Sequence, residues 1–229
     1  MKLHYYGHSC FLLETAGKRI LFDPFITPNE LAANIDVEAI ECDYILASHG
    51  HGDHVADLIA IAKRTGAQVV SVFELINWCA AQDVENGHPM NIGGAWDFDF
   101  GRVKMVNAVH SNSFPDGSYA GAPGGFVITN DEGCLYYAGD TALTPDMRLL
   151  AQQYKIDFAM MPIGGNFTMD AADALEAANF VNCDTIVGMH YDTFPMIKID
   201  RDKAVGLFEG ARKRLILMEI GGAVLELRK

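Results

Sequence analysis

Six consecutive residues, His49-Gly50-His51-Gly52-Asp53-His54, crowd three imidazoles and a carboxylate into one short loop. In extended backbone the side chains alternate, so His49 and His51 face one side. The glycines between them let the backbone bend close around a cation. Asp53 and His54 follow at the turn into a helix and can address a neighbouring point. So many polar groups in one place would cost too much desolvation for a packing role. The mixture of imidazole and carboxylate suits zinc, iron, manganese, nickel or cobalt. One loop cannot complete two coordination spheres, and further ligands are expected from other strand ends. His110, Asp140 and His190 each close a predicted strand, in Asn107-Ala108-Val109-His110, Tyr137-Ala138-Gly139-Asp140 and Val187-Gly188-Met189-His190. With His49, His51, Asp53 and His54 they exceed what one tetrahedral ion takes. Two divalent metal ions are therefore expected, zinc first, with manganese, nickel or iron as alternatives.

The elements that must hold these residues can be read from periodicity and turn chemistry. Short strands are predicted over 2–6, 10–15, 19–22 and 44–48, the last running straight into the histidine loop. A helix is predicted over 55–64, stopping at Gly66, then a strand over 68–72 and a helix over 74–82. Trp96, Phe98 and Phe100 alternate with Asp97 and Asp99, the period of a half-buried strand. A strand over 102–109 follows. The polar, glycine-rich stretch from Ser111 to Gly125 reads as a long loop, expected to work as a flap over the metals. A hairpin over 125–138 leads to alternating helices (145–154, 170–180, 201–214) and strands (156–162, 184–189), with Asp170 as an N-cap. Strands over 215–218 and 223–227 are expected to close the sheet. Strands first, then strand–helix alternation, occurs in both halves, which two face-to-face sheets with helices outside would satisfy.

Half of the 229 residues are hydrophobic, enough for one large domain over residues 1–229. The formal net charge is −13. A surface this acidic repels phosphate backbones, so no nucleic-acid partner is expected. The densest basic run, Arg212-Lys213-Arg214, reads as the solvated end of a helix. No apolar run is long enough to span a membrane, and the first residues show neither an apolar signal core nor a cleavage site. The five cysteines are scattered, without a Cys-x-x-Cys pair, as in reduced, buried thiols. A cytoplasmic location, a small-molecule substrate and no membrane partner are expected, and the sequence is compatible with a homo-oligomer.

The His-x-His-x-Asp-His loop with a later His, Asp and His resembles the metallo-β-lactamase superfamily over essentially the whole chain. Tyr6-Gly7-His8-Ser9-Cys10-Phe11, Leu21-Phe22-Asp23-Pro24, Pro162-Ile163-Gly164-Gly165-Asn166-Phe167-Thr168-Met169 and His190-Tyr191-Asp192-Thr193-Phe194-Pro195 further resemble a small bacterial and archaeal branch. That branch is labelled "metal-dependent hydrolase" and lies near the ascorbate-phosphate lactonase group. The resemblance implies an α/β fold, a four-layer αββα sandwich of two mixed sheets with helices outside. It implies His49, His51 and His110 on one metal, Asp53, His54 and His190 on the other, and Asp140 bridging. Asp23 resembles the aspartate that holds the metal loop by hydrogen bonds. Asn166 departs from the histidine or acidic residue of relatives, which leaves its role open.

Two cations about 3.5–4 Å apart lower the pKa of a shared water enough to give hydroxide at neutral pH. The expected reaction is attack of that hydroxide on a small phosphodiester or related ester, with Asp53 orienting it. His8, just after the first strand, is a candidate proton donor or substrate contact. His4 and His88 read as structural or surface residues. A lactonase or thioesterase acting on a carbonyl is the alternative. A non-catalytic metal-binding protein is the third reading, and the intact ligand set argues against it.

Overall fold

The computed structural model describes residues 1–227. The chain begins with an antiparallel meander, β1 (Lys2–Gly7), β2 (Cys10–Thr15) and β3 (Lys18–Phe22). Three strands are then added in parallel, β4 (Tyr44–Leu46), β5 (Gln68–Val72) and β6 (Gly87–Met90). The second half repeats this plan. β7 (Ala95–Phe98), β8 (Gly101–Asn107), β9 (Gly124–Asn130) and β10 (Gly133–Tyr137) are antiparallel. β11 (Phe158–Pro162), β12 (Thr185–Met189) and β13 (Arg214–Ile216) continue in parallel. A last strand, β14 (Leu225–Glu226), returns to pair with β1. Two seven-stranded mixed sheets result, ordered β14-β1-β2-β3-β4-β5-β6 and β13-β12-β11-β10-β9-β8-β7. The helices α1 (Gly52–Val55), α2 (Leu58–Thr65), α3 (Phe73–Ala80), α4 (Met147–Gln153), α5 (Ala171–Phe180) and α6 (Arg201–Gly210) complete the αββα sandwich.

One core of Leu, Ile, Val and aromatic side chains fills the space between the sheets. Phe22 of β3 stacks on Tyr137 of β10 with ring centroids 4.6 Å apart, so the sheets meet through aromatic faces directly beneath the site. Asp170 caps α5 by accepting from Ala172 N and Asp173 N, as its place before the apolar run predicts. All five cysteines are free and buried. Among the described residues no helix is long and apolar enough to cross a membrane.

The structure departs from the sequence reading at defined places. The helix expected over 55–64 is two helices, because Asp57 leaves the first one to bind elsewhere. Its carboxylate accepts from Ile26 N and Thr27 N, and its own N–H donates to Pro24 O. β6 has no counterpart in the reading, since Pro89 argues against a strand; the residue is tolerated because β6 lies at the sheet edge. α6 stops at Gly210 rather than 214, and Arg212 turns with φ +59°. The basic run is therefore no helix end: Arg214 opens β13, and Lys213 donates to Asp184 and to the Cys183 carbonyl. Finally, the last strand closes the first sheet and not the second.

Candidate metal centre

Three side chains of the histidine loop, His49, Asp53 and His54, are aimed by partners behind them. Ser48 follows β4 and donates its hydroxyl proton to Asp23 Oδ2 at 2.5 Å. That leaves the Ser48 oxygen to accept from His49 Nδ1 at 2.9 Å, which turns His49 Nε2 outward. His54 Nδ1 likewise donates to Asp23 Oδ2, at 2.8 Å, so its Nε2 also faces the centre. Asp23 is fully buried at φ +39°, and it further accepts from Ser48 N (2.7 Å) and Tyr137 Oη (2.6 Å). A carboxylate that accepts from this many donors orients two histidine rings at once.

Besides the Asp23, His49 and His54 cluster behind the centre, the donor atoms fall into two groups. His49, His51 and His110 present one set of nitrogens within 4.8 Å of one another. Asp53, His54 and His190, with His8, present the second set within the same span. Asp140 lies between the sets: its Oδ2 is 2.9 Å from His190 Nε2, 3.3 Å from His54 Nε2 and 3.6 Å from His110 Nε2. All seven residues singled out in the sequence as ligands are thus brought together, with His8 beside the second set and with His49 and His54 also grouped around Asp23. His51 points its Nδ1 at His49 Nε2 (2.9 Å), while its Nε2 lies 3.4 Å from Ser111 Oγ.

His8 takes a different place. It is wholly buried, with φ +55°, and its ring is walled by Phe25, Phe194 and His190. Nε2 donates to Asp53 Oδ2 at 3.1 Å and Nδ1 accepts from Thr193 Oγ1 at 3.0 Å. Burial, followed by the neighbouring His190, brings its pKa down to about 4. The ring therefore stands behind Asp53 as a neutral donor rather than in the cavity.

The electrostatics suit cations. Burial pushes the His49 imidazole well below its ordinary range. Burial would do the same to His54, but Asp140, Asp23 and Asp53 outweigh it and raise that ring well above the ordinary value. The attraction that holds a proton on His54 acts equally on a metal in its place. Asp140 is a buried carboxylate that burial would raise, yet His190 and His54 hold it well below the usual range. His54 Nε2, Asp140 Oδ1 and His190 Nδ1 are buried without a hydrogen-bond partner. Of these, His54 Nε2 faces Asp140 at the centre, whereas His190 turns its Nε2 there and its orphaned Nδ1 away; a buried, unpartnered nitrogen among these donors is costly unless an ion satisfies it. The donor set fits divalent metal on this test.

The stretch from Ser111 onward is a strap rather than a flap. Asn112 Oδ1 accepts from Gly50 N at 2.7 Å, and its Nδ2 donates to the carbonyls of Ala120 and Gly121. Phe114 stacks on Trp78 of α3 with planes 9° apart. A Cβ on Gly50 would lie 2.7 Å from Ala120 Cβ and 3.0 Å from the Phe114 ring. Gly50 thus serves the strap's close approach, a role beyond the bend around a cation. Only Ser111 of this stretch reaches the cavity beside the donors.

That cavity, of about 490 Å³, is lined by the donors His51, Asp53, His110, Asp140 and His190 together with the apolar Phe167, Phe194, Pro195 and Met196. The sequence reading passed over these apolar residues as lining. The available signal was large apolar side chains in the turn-rich loops after β11 and β12. Asn166 sits at φ +53° in the first of these turns and does not line the cavity. His4 pairs with Glu14 across β1 and β2, and His88 packs on Trp96 and Phe98, both away from the centre.

Residues 2–190 match the family model described as the β-lactamase superfamily domain. The chain belongs to the metallo-β-lactamase superfamily, within a group of small metal-dependent hydrolases. It is 50% identical over 224 residues to a metal-dependent hydrolase of Flavobacterium johnsoniae, covering 98% of this chain and 99% of the relative. A metal-dependent hydrolase of Christiangramia forsetii is 49% identical over 225 residues, with the same coverage. Among solved structures, a metallo hydrolase from the hyperthermophilic archaeon Ignicoccus hospitalis is 34% identical, with TM-score 0.87 and 99% of each chain covered. An isothiocyanate hydrolase from Delia radicum gut bacteria shares the fold at 18% identity, with TM-score 0.78 over 100% of this chain and 99% of that one.

Proposed function

We propose that this chain is a two-metal hydrolase that cleaves small ester-type substrates with water. The observation that carries the reading is the division of the donors into two sets with Asp140 Oδ2 between them. His49, His51 and His110 would hold one divalent cation and Asp53, His54 and His190 the other, zinc being the first choice for this nitrogen-rich set. Bound there, such a pair would acidify water and polarise the carbonyl or phosphoryl oxygen under attack.

The chain's own residues do the rest. Asp53 faces the cavity with its Oδ2 tied back to His8, so it can accept a hydrogen bond from the attacking water without swinging away. Ser48 and Asp23 hold the His49 and His54 rings so that no reorientation accompanies reaction. Ser111, beside His51 at the mouth, offers a hydroxyl to a substrate oxygen. No serine nucleophile is required.

Elemental analysis after reloading with zinc or manganese tests the reading. Approach to two equivalents per chain, falling toward one in Asp140→Ala, supports it. Saturation at one equivalent in the unaltered protein overturns the two-metal assignment. Parallel assays on phosphodiesters, lactones and thioesters then identify the bond cleaved.

A further inference from the structure

The cavity that holds the donors also carries apolar chemistry that the metal centre does not explain. Phe167 is 46% exposed and Met196 64% exposed, though both are large apolar side chains. They come from separate loops, after β11 and after β12, and line the same cavity with Phe194 and Pro195. Scattered apolar residues on a surface need no explanation, but a set lining one cavity marks a binding groove. Phe194 is fixed from behind, its ring 5.4 Å from His8 and 6.2 Å from Phe25. Among the described residues lining this cavity there is no Lys or Arg. A phosphodiester or other polyanionic substrate would find no cationic side chain beyond the metals, and a chain of net charge −13 repels it from a distance.

Building on the hydrolase reading, we infer that the substrate is an uncharged carboxylic ester or thioester whose acyl group is apolar and lies against Phe167, Phe194, Pro195 and Met196. The carbonyl then sits over the donors, with the acyl chain directed to these apolar side chains. The oxygen of water bonds to the acyl carbon, and the carbon–oxygen or carbon–sulfur bond breaks. Its electron pair leaves on the alcohol oxygen or thiol sulfur, which gains one proton of the water. The products are a carboxylate, a released proton and the alcohol or thiol. A cavity of about 490 Å³ accommodates a ligand of this kind.

The test uses the full chain loaded with zinc and has two arms. In the first, calorimetry compares acetohydroxamate with hexanohydroxamate, which share the metal-seeking group and differ only in apolar length. Tighter binding of the longer probe by about 10-fold is expected from partial burial of its methylenes. The joint substitution of Phe167→Ser and Met196→Ser, both on exposed side chains, should flatten that difference. In the second, kcat/KM is measured for acetyl, hexanoyl and hemisuccinyl nitrophenyl esters and for bis-nitrophenyl phosphate. The hexanoyl ester should lead by about 10-fold, with the charged hemisuccinate and the phosphodiester behind. Equal affinity for the two hydroxamates, or a preference for phosphodiester, overturns the inference even if ester hydrolysis is seen. Selective binding of the long probe without turnover of any ester sinks the hydrolase reading, and with it the proposed substrate.

Discussion

Asp23 Oδ2 lies 2.8 Å from His54 Nδ1, although 31 positions separate the residues. The same oxygen accepts from Ser48 Oγ and Tyr137 Oη, and Ser48 in turn carries His49. One carboxylate therefore aims a ring of each donor set. Replacing it by alanine removes the acceptor of Ser48 N, Ser48 Oγ and His54 Nδ1 at once, while Tyr137 Oη keeps the Ser9 carbonyl. Asp23→Ala should weaken metal binding by about 10- to 100-fold, measured by competition with a chromogenic chelator. Affinity within a factor of two of the unaltered protein would show that the rings are aimed by packing alone.

His8 yields a second expectation. Its ring supports Asp53 from behind and does not line the cavity. His8→Ala should therefore reduce turnover by a similar factor on nitrophenyl esters and on esters with poor leaving groups. A loss confined to poor leaving groups would return His8 to the role of proton donor.

The strap offers a test by crowding. A methyl group on Gly50 meets Ala120 and Phe114 at distances no pair of carbons tolerates without movement. Gly50→Ala should lower stability by about 1–3 kcal/mol, read from urea unfolding of the metal-loaded protein. An unchanged midpoint would mean that the strap yields freely. As a reference, Asp200→Ala removes the cap of α6 far from the strap and should cost about 0.5–2 kcal/mol with metal affinity intact.

The thiols should be inert in the folded protein. Burial pushes Cys42 and Cys183 up to about 11 and Cys79 up to about 12, and raises Cys10 well above its usual value. The reactive form is the thiolate, and a raised pKa depletes it at pH 8. Native protein should show almost no reaction with a disulfide reagent at that pH, and five equivalents in denaturant. Rapid labelling of the native state would contradict the buried assignment.

Metal should also be visible as stability. A ligand that binds only the folded chain contributes about 2.7 kcal/mol at one hundred times its Kd. Chelation should lower the Tm, and zinc or manganese should restore it. An unmoved Tm would mean that the unpartnered His54 Nε2 and its neighbours gain nothing from an ion.

How legible was this in the sequence? The donor residues were, because imidazole and carboxylate in alternation have few other uses and because His110, Asp140 and His190 close apolar strands. Most strands were legible for the same reason of period. The break at Asp57 was not, since its cause is a pair of backbone N–H groups some thirty residues earlier. Nor was the strap, whose anchor depends on Asn112 reaching back 62 positions to Gly50. The placement of β14 beside β1 depends on tertiary closure across the whole chain. The apolar lining escaped because exposed Phe and Met in turns carry no periodic signal. Local pattern reports what a residue can do; these features are set by what comes to lie next to it.

The stacked pair Phe22–Tyr137 marks a seam, and the donors straddle it. The strands before the seam bring His49, His51, Asp53 and His54, and those after it bring His110, Asp140 and His190. Neither stretch owns a complete set. Two fragments divided near Asn91 would each expose an unmated sheet face and a partial ligand group, and a shared cation would act as the rivet between them. Complementation of such halves would then be governed by metal supply, and a substitution in either half would register in the other as a change in fit.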